Sequence, residues 1–200
     1  MSVEAITIRP AEPDDAQAIT DVHDAAWMGA YRGIIPGAAL ARMVARRGPK
    51  WWSRLIAHRR GLLVLQYHGA VIGYVTFGAN RSRSLRVRGE IYELYVAPAY
   101  QGLGFGARLF NAAMARLREA RMAHFVAWVL EDNDMAVRFY TSMGGEPVAH
   151  GVERFDRTDV RKLAFTWGGR ASSGRRLTGK TSTGRDLRST GPRIRRKNEP

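Results

Sequence analysis

A glycine-rich segment near the middle of the chain constrains the fold more than any other part of the sequence. Residues 90–100 read EIYELYVAPAY, residues 101–106 read QGLGFG, and a long amphipathic stretch covers residues 107–121. This order predicts a strand, a tight turn and a helix. The first N–H groups of a helix have no partners within it and carry the positive end of its dipole, so we expect the turn to bind an anion. Alternate glycines let a diphosphate approach the main chain closely.

The sequence of this segment resembles two nucleotide-binding motifs. Residues 102–107 fit the dinucleotide-binding pattern G-x-G-x-x-G/A, and Glu131 follows the next apolar stretch, where an acid can bind a ribose. In a dinucleotide turn, however, the first glycine directly follows the strand, whereas residues 97–101 intervene here and Pro98 ends the strand. The motif also lies midway along the chain, which leaves too little sequence for a doubly wound sheet. The dinucleotide interpretation is therefore the weaker one.

The second motif fits better and is part of a longer ordered set. Gln101-x-x-Gly104-x-Gly106 matches the coenzyme A signature Q/R-x-x-G-x-G/A, the segment 89–98 (GEIYELYVAP) precedes it, and the segment 129–145 follows with the pattern V-L-x-x-N-x-x-A-x-x-F-Y-x-x-x-G-G. Residues 26–36 read AWMGAYRGIIP. Together these segments resemble the GCN5-related N-acetyltransferase (GNAT) family over most of residues 6–166. The resemblance implies an α/β fold with a mixed, largely antiparallel central sheet flanked by helices.

Apolar alternation and turn residues elsewhere in the chain fit the order of elements that this resemblance implies. We expect further strands over residues 3–10, 62–67, 70–77, 124–130, 147–154 and 160–167. Helices are expected from residue 12 to about residue 28, over residues 36–58 with a break at Gly48-Pro49, and over residues 133–143. Residues 81–88 form a basic loop that we interpret as a solvated run of charge.

The composition changes sharply near residue 168. Residues 1–168 hold the features of one acetyltransferase domain, whereas residues 169–200 are rich in Arg, Gly, Ser and Thr. Residues 170–200 hold ten basic and two acidic residues, and thus +8 of the formal net charge of +14. Because such a segment cannot bury enough apolar surface to offset its ordering entropy, we predict a disordered basic tail. Such a tail either binds an anionic partner non-specifically or serves only as a solubilising extension.

Other features of the chain exclude several classes of site. Residues 174–181 (GRRLTGKT) match the P-loop pattern, but no strand precedes them and no helical periodicity follows, so we interpret the match as chance. The chain has no cysteine, which excludes disulfides, thiolate metal sites and an acetyl-cysteine intermediate. The histidines show no metal-binding spacing, so we expect no metal site. The longest apolar runs are far shorter than the ~20 residues of a membrane-spanning helix, so we expect a cytoplasmic protein without membrane insertion; a homodimer is compatible with these features.

Two glutamates on the strand that leads into the glycine-rich turn are candidates for a general base. Transfer of an acetyl group to an amine requires removal of a proton from an alkylammonium, whose pKa is near ~10.4. Glu90 and Glu93 are three residues apart, so in a regular strand they face opposite sides and at most one reaches the acceptor. The resemblance favours Glu90, eleven residues before Gln101, where many family members carry a glutamate base. A surface carboxylate is the alternative.

The resemblance also assigns the remaining site residues. It implies that Tyr140 donates a proton to the leaving thiolate, whereas a tyrosine packed on the core is the alternative. Trp27, Tyr31 and Glu93 are expected to contact the acceptor, although aromatic residues at such spacings also commonly pack in the core. Main-chain N–H groups at residues 94–96 are expected to polarise the thioester carbonyl. Contacts with acetyl-CoA are expected from Leu94, Tyr95, Val96, Gln101, Gly102, Leu103, Gly104, Phe105, Gly106, Ala107 and Asn133.

The sequence therefore predicts an acetyl-CoA-dependent N-acetyltransferase. The acetyl group is expected to pass directly to a primary amine on a small molecule, a protein or a peptide. A basic nucleic-acid-binding protein and a non-catalytic acyl-CoA sensor on the same fold are the alternatives. Members of the family share the half of the site that binds coenzyme A and differ in the other half, so the acceptor does not follow from the sequence.

Overall fold

The computed structural model describes residues 6–58, 61–82 and 84–168, so the predicted basic tail, residues 169–200, lies outside the described residues. Its strands form one seven-stranded sheet with helices on both faces. The strands are β1 (Ile6–Pro10), β2 (Gly61–Tyr67), β3 (Ala70–Ala79), β4 (Gly89–Val96), β5 (Phe125–Leu130), β6 (Glu146–Phe155) and β7 (Thr158–Trp167). The α-helices are α1 (Ala16–Tyr31), α2 (Gly37–Ala45), α3 (Pro49–Ala57), α4 (Phe105–Glu119) and α5 (Asp134–Ser142). Within the described ranges, none of the helices combines the length and the apolar character needed to cross a membrane.

The order of the strands in the sheet is β1-β2-β3-β4-β5-β7-β6. In the described part of the chain, all neighbouring strands are antiparallel except β4 and β5, which are parallel. The predicted mixed, largely antiparallel α/β fold is therefore confirmed. The same order excludes the doubly wound parallel sheet that the dinucleotide interpretation requires. The predicted closing hairpin is present, with β7 inside the sheet and β6 at its edge.

Two helices begin more than one residue away from their predicted starts, for local reasons. α1 begins at Ala16 rather than at residue 12, because Pro13–Asp15 forms a 3₁₀ turn in which the Glu12 N–H donates to Asp15 Oδ2 at 2.7 Å. α4 begins at Phe105 rather than at residue 107, because Gly104 adopts a φ angle of 81° directly before it. Glycine adopts this left-handed conformation without the steric cost that a Cβ atom brings.

Apolar side chains on the two faces of the sheet form separate cores. Alternate residues of β2 divide between them, since Leu63 and Leu65 belong to the core under α4, whereas Leu62 and Val64 belong to the core under α1 and α3. This alternation is what a strand buried on both faces requires. α4 contributes one apolar side of the helix, consisting of Phe105, Leu109, Phe110, Ala113 and Leu117. Both faces of the central strands are thus buried, which makes the sheet a rigid support for the elements around it.

β4 contains a bulge that changes the direction of its glutamates. The register between β3 and β4 shifts, so that Thr76 pairs with Glu93 while Gly78 pairs with Glu90. The two β3 residues are two apart and share a face, whereas the two glutamates are three apart, with one extra residue at Tyr92. Glu90 and Glu93 therefore face the same side of the sheet. The expectation that they face opposite sides is wrong, because it assumed a regular strand.

β4 and β5 part after a short parallel ladder. They pair only where residues 89–91 lie beside residues 125–127. β4 continues to Val96 and β5 to Leu130, and no further pairing joins these two fully described strands. The main-chain groups of residues 94–96 on this side are therefore not used by the sheet, and such an open edge can accept an extended ligand.

Candidate active site

The glycine-rich turn opens directly onto the N-terminus of α4. Gly102 and Gly104 have φ angles of 78° and 81°. The Gln101 side chain donates from Nε2 to the Val96 carbonyl at 2.9 Å, which ties the turn to the end of β4. Residues 101–104 are exposed, and the 15-residue helix behind them directs the positive end of its dipole into the turn. The turn can therefore hold an anion.

α5 packs beside this turn. Its N-terminus is capped by Asn133, whose Oδ1 accepts from the Ala136 N–H at 3.1 Å. At Gly106 in the first turn of α4, a methyl group would lie 3.3 Å from the Phe139 ring. The absence of a side chain at this position lets the two helices approach each other. Tyr140, the next residue of α5, packs in the core under α4.

Tyr140 has a buried ring and a hydroxyl that remains available. Its ring contacts Phe110, Phe165 and Trp167, with centroids 6.3, 6.0 and 5.6 Å away. Among the residues that the structure describes, none forms a hydrogen bond with the hydroxyl. Burial raises the pKa of Tyr140 above its ordinary value, and the nearby Tyr31 raises it further. The phenol therefore keeps its proton at neutral pH and can act as a donor.

Trp27, Tyr31 and Tyr95 come together on the face of the sheet that α1 covers. The hydroxyls of Tyr31 and Tyr95 lie 2.7 Å apart and share a hydrogen bond. The Trp27 ring centroid is 5.1 Å from that of Tyr31 and 6.2 Å from that of Tyr95. Burial raises the pKa of Tyr31 to about 12, so this hydroxyl is also protonated. Tyr31 also contributes to the raised pKa of Tyr140 on α5.

A buried ion pair that the sequence did not indicate lies against these rings. Arg47, in the connection between α2 and α3, donates from Nη1 to Glu93 Oε1, and the Tyr74 hydroxyl donates to Glu93 Oε2 at 3.2 Å. The side chains of the pair are only 8% and 5% exposed. The guanidinium lies 5.2 Å from the Trp27 ring centroid and 5.1 Å from the Trp51 ring centroid. Sequence patterns do not reveal such a pair, since its members are 46 residues apart.

Glu90 is held by the loop between β3 and β4. Its Oε2 accepts from the main-chain N–H of Arg81 at 2.8 Å, and its Oε1 accepts from Arg81 Nη2 at 2.6 Å. The loop is organised further by Asn80, whose Nδ2 donates to the carbonyls of Ser82, Leu85 and Val87. The interpretation of residues 81–88 as solvated charge therefore fits the exposed Arg86 and Arg88 but not Arg81.

The predicted site residues form two groups that meet at β4. The first group surrounds the N-terminus of α4 and contains the turn 101–107, the open edge 94–96, Asn133 and Tyr140. The second lies on the α1 face and contains Trp27, Tyr31 and Glu93. Tyr95 belongs to both, since its main chain lies on the open edge and its side chain reaches Tyr31. The roles of these residues remain predictions.

His23 is a buried titratable residue that the sequence patterns missed. It is fully buried against Trp27 and Trp52, whose ring centroids lie 5.0 and 5.8 Å away. Its Nδ1 lies 2.9 Å from Asp24 Oδ1. Because a carboxylate accepts, the neutral imidazole donates from Nδ1 and keeps a lone pair on Nε2. Burial lowers the pKa of His23 to about 3, and the positive charge of Arg47 contributes to this shift.

Comparisons with known proteins match this chain to a family of acetyltransferases. The model of the Acetyltransferase (GNAT) family matches residues 20–144. The uncharacterised N-acetyltransferase YuaI of Bacillus subtilis (strain 168) is 30% identical over 164 residues, which cover 81% of this chain and 92% of that protein. The L-methionine sulfoximine/L-methionine sulfone acetyltransferase of Salmonella typhimurium (strain LT2) is 30% identical over 145 residues, which cover 70% of this chain and 79% of that protein.

A solved structure shares the fold. YncA from Salmonella typhimurium, determined with acetyl-CoA, superposes with a TM-score of 0.61 and is 23% identical. The match covers 87% of this chain and 99% of that one. At this level of identity the likeness concerns the fold alone.

Replacement of His23 by Phe should flatten the dependence of stability on pH. Below about pH 6.5 the unfolded imidazole binds a proton, whereas the folded one does so only near its pKa of about 3. Stability that is complete above pH 6.5 is therefore lost as the pH falls towards 3. We expect the wild type to lose about 1 kcal/mol of unfolding free energy per pH unit more than His23→Phe.

Urea denaturation at neutral pH and at about pH 5 measures this difference. The exposed His58 offers a matched control, His58→Phe, which should show the slope of the wild type. Equal slopes for the wild type and His23→Phe would contradict a buried, neutral His23.

Proposed function

Because the chain belongs to the GNAT family of acetyltransferases, we propose that it transfers the acetyl group of acetyl-CoA directly to the primary amine of a small molecule, a protein or a peptide. One observation carries this proposal: an exposed glycine-rich turn at the N-terminus of α4 lies beside an open edge of β4. Acetyl-CoA has a diphosphate that suits the turn and an extended, amide-containing arm that suits the strand edge.

Acetyl-CoA is proposed to bind along β4 and the glycine-rich turn. The N–H groups of residues 102–107 hold the diphosphate, and the pantetheine amides pair with the main chain of Tyr95 and Val96 as an added strand. Gln101 acts by fixing the turn through its hydrogen bond to Val96. Asn133 acts by starting α5 at the correct place beside the turn. The net positive charge of the chain attracts this polyanionic cosubstrate.

The chemistry needs a polarised carbonyl and a proton donor for the leaving thiolate. The amine nitrogen attacks the carbonyl carbon, the C–S bond breaks, the nitrogen loses one proton and the sulfur gains one, so the products are an amide and free CoA. An unpaired N–H group at residues 94–96 stabilises the negative charge that develops on the carbonyl oxygen. The available, protonated hydroxyl of Tyr140 supports its assignment as the donor to sulfur.

Glu90 is the proposed general base, and Glu93 is a fixed anion in the acceptor region. A glutamate that takes a proton must release its cationic partner. Arg81, the partner of Glu90, has a side chain that is 32% exposed, so water can solvate its charge after release. Arg47, the partner of Glu93, is 8% exposed and would be left as an uncompensated buried cation. This difference supports Glu90 over Glu93.

Two other functions remain as alternatives. Nucleic-acid binding would depend on residues 169–200, so deletion of this segment would remove salt-sensitive binding and leave an acetyltransferase active. A non-catalytic sensor would bind acetyl-CoA without consuming it. A cytoplasmic location and a non-specific anionic partner for the basic tail are further parts of the proposal.

Replacement of Tyr140 by Phe should slow turnover without weakening the binding of acetyl-CoA. The change removes one hydroxyl and keeps the packing of the ring against Phe110. We expect kcat to fall about 100-fold, the contribution of a positioned general acid. A thiol reagent that follows CoA release from a panel of primary amines measures kcat, and calorimetry measures binding.

Tyr92→Phe is a matched control, because it also removes one tyrosine hydroxyl, which donates to the Ala79 carbonyl at 2.7 Å and has no role in the proposed mechanism. This variant should turn over like the wild type. An unchanged kcat in Tyr140→Phe would remove Tyr140 from the mechanism, and no CoA release with any amine would contradict the proposed function itself.

Glu90→Gln and Glu93→Gln should have different kinetic effects. Loss of the base should lower kcat/KM about 100-fold near neutral pH. This deficit should shrink as the pH approaches ~10.4, because more of the amine is then already neutral. Glu93→Gln should instead raise KM for the acceptor more than it lowers kcat. Steady-state kinetics of both variants over this pH range measure these effects. If Glu93→Gln shows the pH-dependent loss of kcat/KM and Glu90→Gln the raised KM, Glu93 is the base and Glu90 the fixed anion.

A further inference from the structure

Arg47 is a buried cation beside the proposed point of acetyl transfer. It lies in the short connection between α2 and α3, yet only 7% of the residue is exposed. Its guanidinium pairs with Glu93 and lies over the rings of Trp27 and Trp51. Burial of a charge is unfavourable unless the charge is closely paired. Three elements of the fold (α1, β4 and α3) therefore combine to hold one guanidinium in place.

The ion pair is continuous with the proposed reaction centre. Glu93 lies one residue before the proposed thioester contacts on β4, and the Tyr95 hydroxyl on the same strand bonds to Tyr31. The Trp27 ring centroid lies 5.2 Å from the Arg47 guanidinium and 5.1 Å from the Tyr31 ring centroid, and the Tyr31 hydroxyl bonds to that of Tyr95. A positive and a negative charge therefore border the proposed acceptor region.

A donor next to Arg47 has no acceptor within the described residues. Trp27 is 3% exposed, and its Nε1–H makes no hydrogen bond there, although its ring contacts the Arg47 guanidinium. Buried N–H groups without an acceptor are rare in native proteins, because each one loses its hydrogen bond to water on folding. The group that complements a buried donor beside a cation is an oxygen anion, and a carboxylate is the commonest one.

The same arrangement disfavours an acceptor with a second positive charge. Trp27 and Trp51 are rings that could bind an alkylammonium, and the Arg47 guanidinium already lies over one face of each. Its own charge also repels another cation at short distance. The distal amine of a diamine or polyamine is therefore disfavoured beside Arg47.

We propose that the acceptor is a free amino acid, whose carboxylate binds between Arg47 and the Trp27 Nε1–H and whose amine lies towards Glu93 and the Tyr31–Tyr95 hydroxyls. A pair of opposite charges on the protein then meets a pair of opposite charges on the ligand. Arg47 is the residue that selects the acceptor. This inference rests on the proposed acetyltransferase function and narrows its acceptor to one chemical class.

Matched acceptors test the role of the carboxylate. The L-amino acids are screened by CoA release, and the best acceptor is compared with its methyl ester and its decarboxylated amine, with rates expressed per neutral amine. In the wild type, kcat/KM should be at least about tenfold higher for the amino acid, as expected for one charge-assisted contact. This preference should disappear in Arg47→Met and persist in part in Arg47→Lys.

Two further variants separate recognition from folding. Arg47→Met leaves Glu93 buried without its cation, so the double variant Arg47→Met/Glu93→Gln, which removes both charges, is measured beside it. The double variant should also lose the preference for the amino acid over its methyl ester and its decarboxylated amine. Arg42→Met is a matched arginine control, since Arg42 is 52% exposed on α2 and pairs with Asp156, and it should keep the preference of the wild type.

The outcomes distinguish this inference from the function on which it rests. If the wild type acetylates the decarboxylated amine as fast as the amino acid or faster, the inference is overturned. The acetyltransferase function then still stands. The inference is also overturned if Arg47→Met lowers kcat/KM by the same factor for all three acceptors. The preference for the amino acid is then retained, and Arg47 acts only on the structure. No CoA release with any amine or amino acid overturns both.

Discussion

The parting of β4 from β5 is the constraint on which the rest of the site depends. These strands are the parallel neighbours of the described sheet, and they pair over only three residues of each. Parallel strands need a crossover connection, which α4 supplies here, so the helix begins close to the place where β4 ends. The open strand edge and the exposed N-terminus of α4 therefore result from one topological step. The proposed cosubstrate requires both at once.

On the α1 face of β4, two glutamates of one strand are neutralised in different environments. The bulge near Tyr92 turns Glu90 and Glu93 to the same side. Arg81 reaches Glu90 from a half-exposed loop, whereas Arg47 reaches Glu93 from beneath aromatic rings. Water can replace the first cation but not the second. The same kind of ion pair is therefore suited to proton transfer in one place and to fixed recognition in the other.

The sequence predicted those parts of the fold and site that depend on neighbours along the chain, and the family resemblance supplied the mixed sheet. The glycine-rich turn is of this kind, since Gln101 reaches only as far as Val96. The Arg47–Glu93 pair joins residues 46 apart and has no local signal. The burial of His23 likewise depends on Trp52 from another helix, so its spacing within α1 does not reveal it. The bulge in β4 arises from its packing on β3 and broke the simple alternation on which the direction of the glutamates was predicted.

The central claim is that main-chain N–H groups of residues 102–107 hold the diphosphate of acetyl-CoA. Titration calorimetry tests it most directly when acetyl-CoA is compared with S-acetyl-pantetheine, which keeps the thioester and the arm but lacks the diphosphate. We expect one acetyl-CoA bound per chain and binding of S-acetyl-pantetheine at least about 100-fold weaker. Equal affinity for the two compounds, or no heat with acetyl-CoA at two temperatures on folded protein, would contradict it.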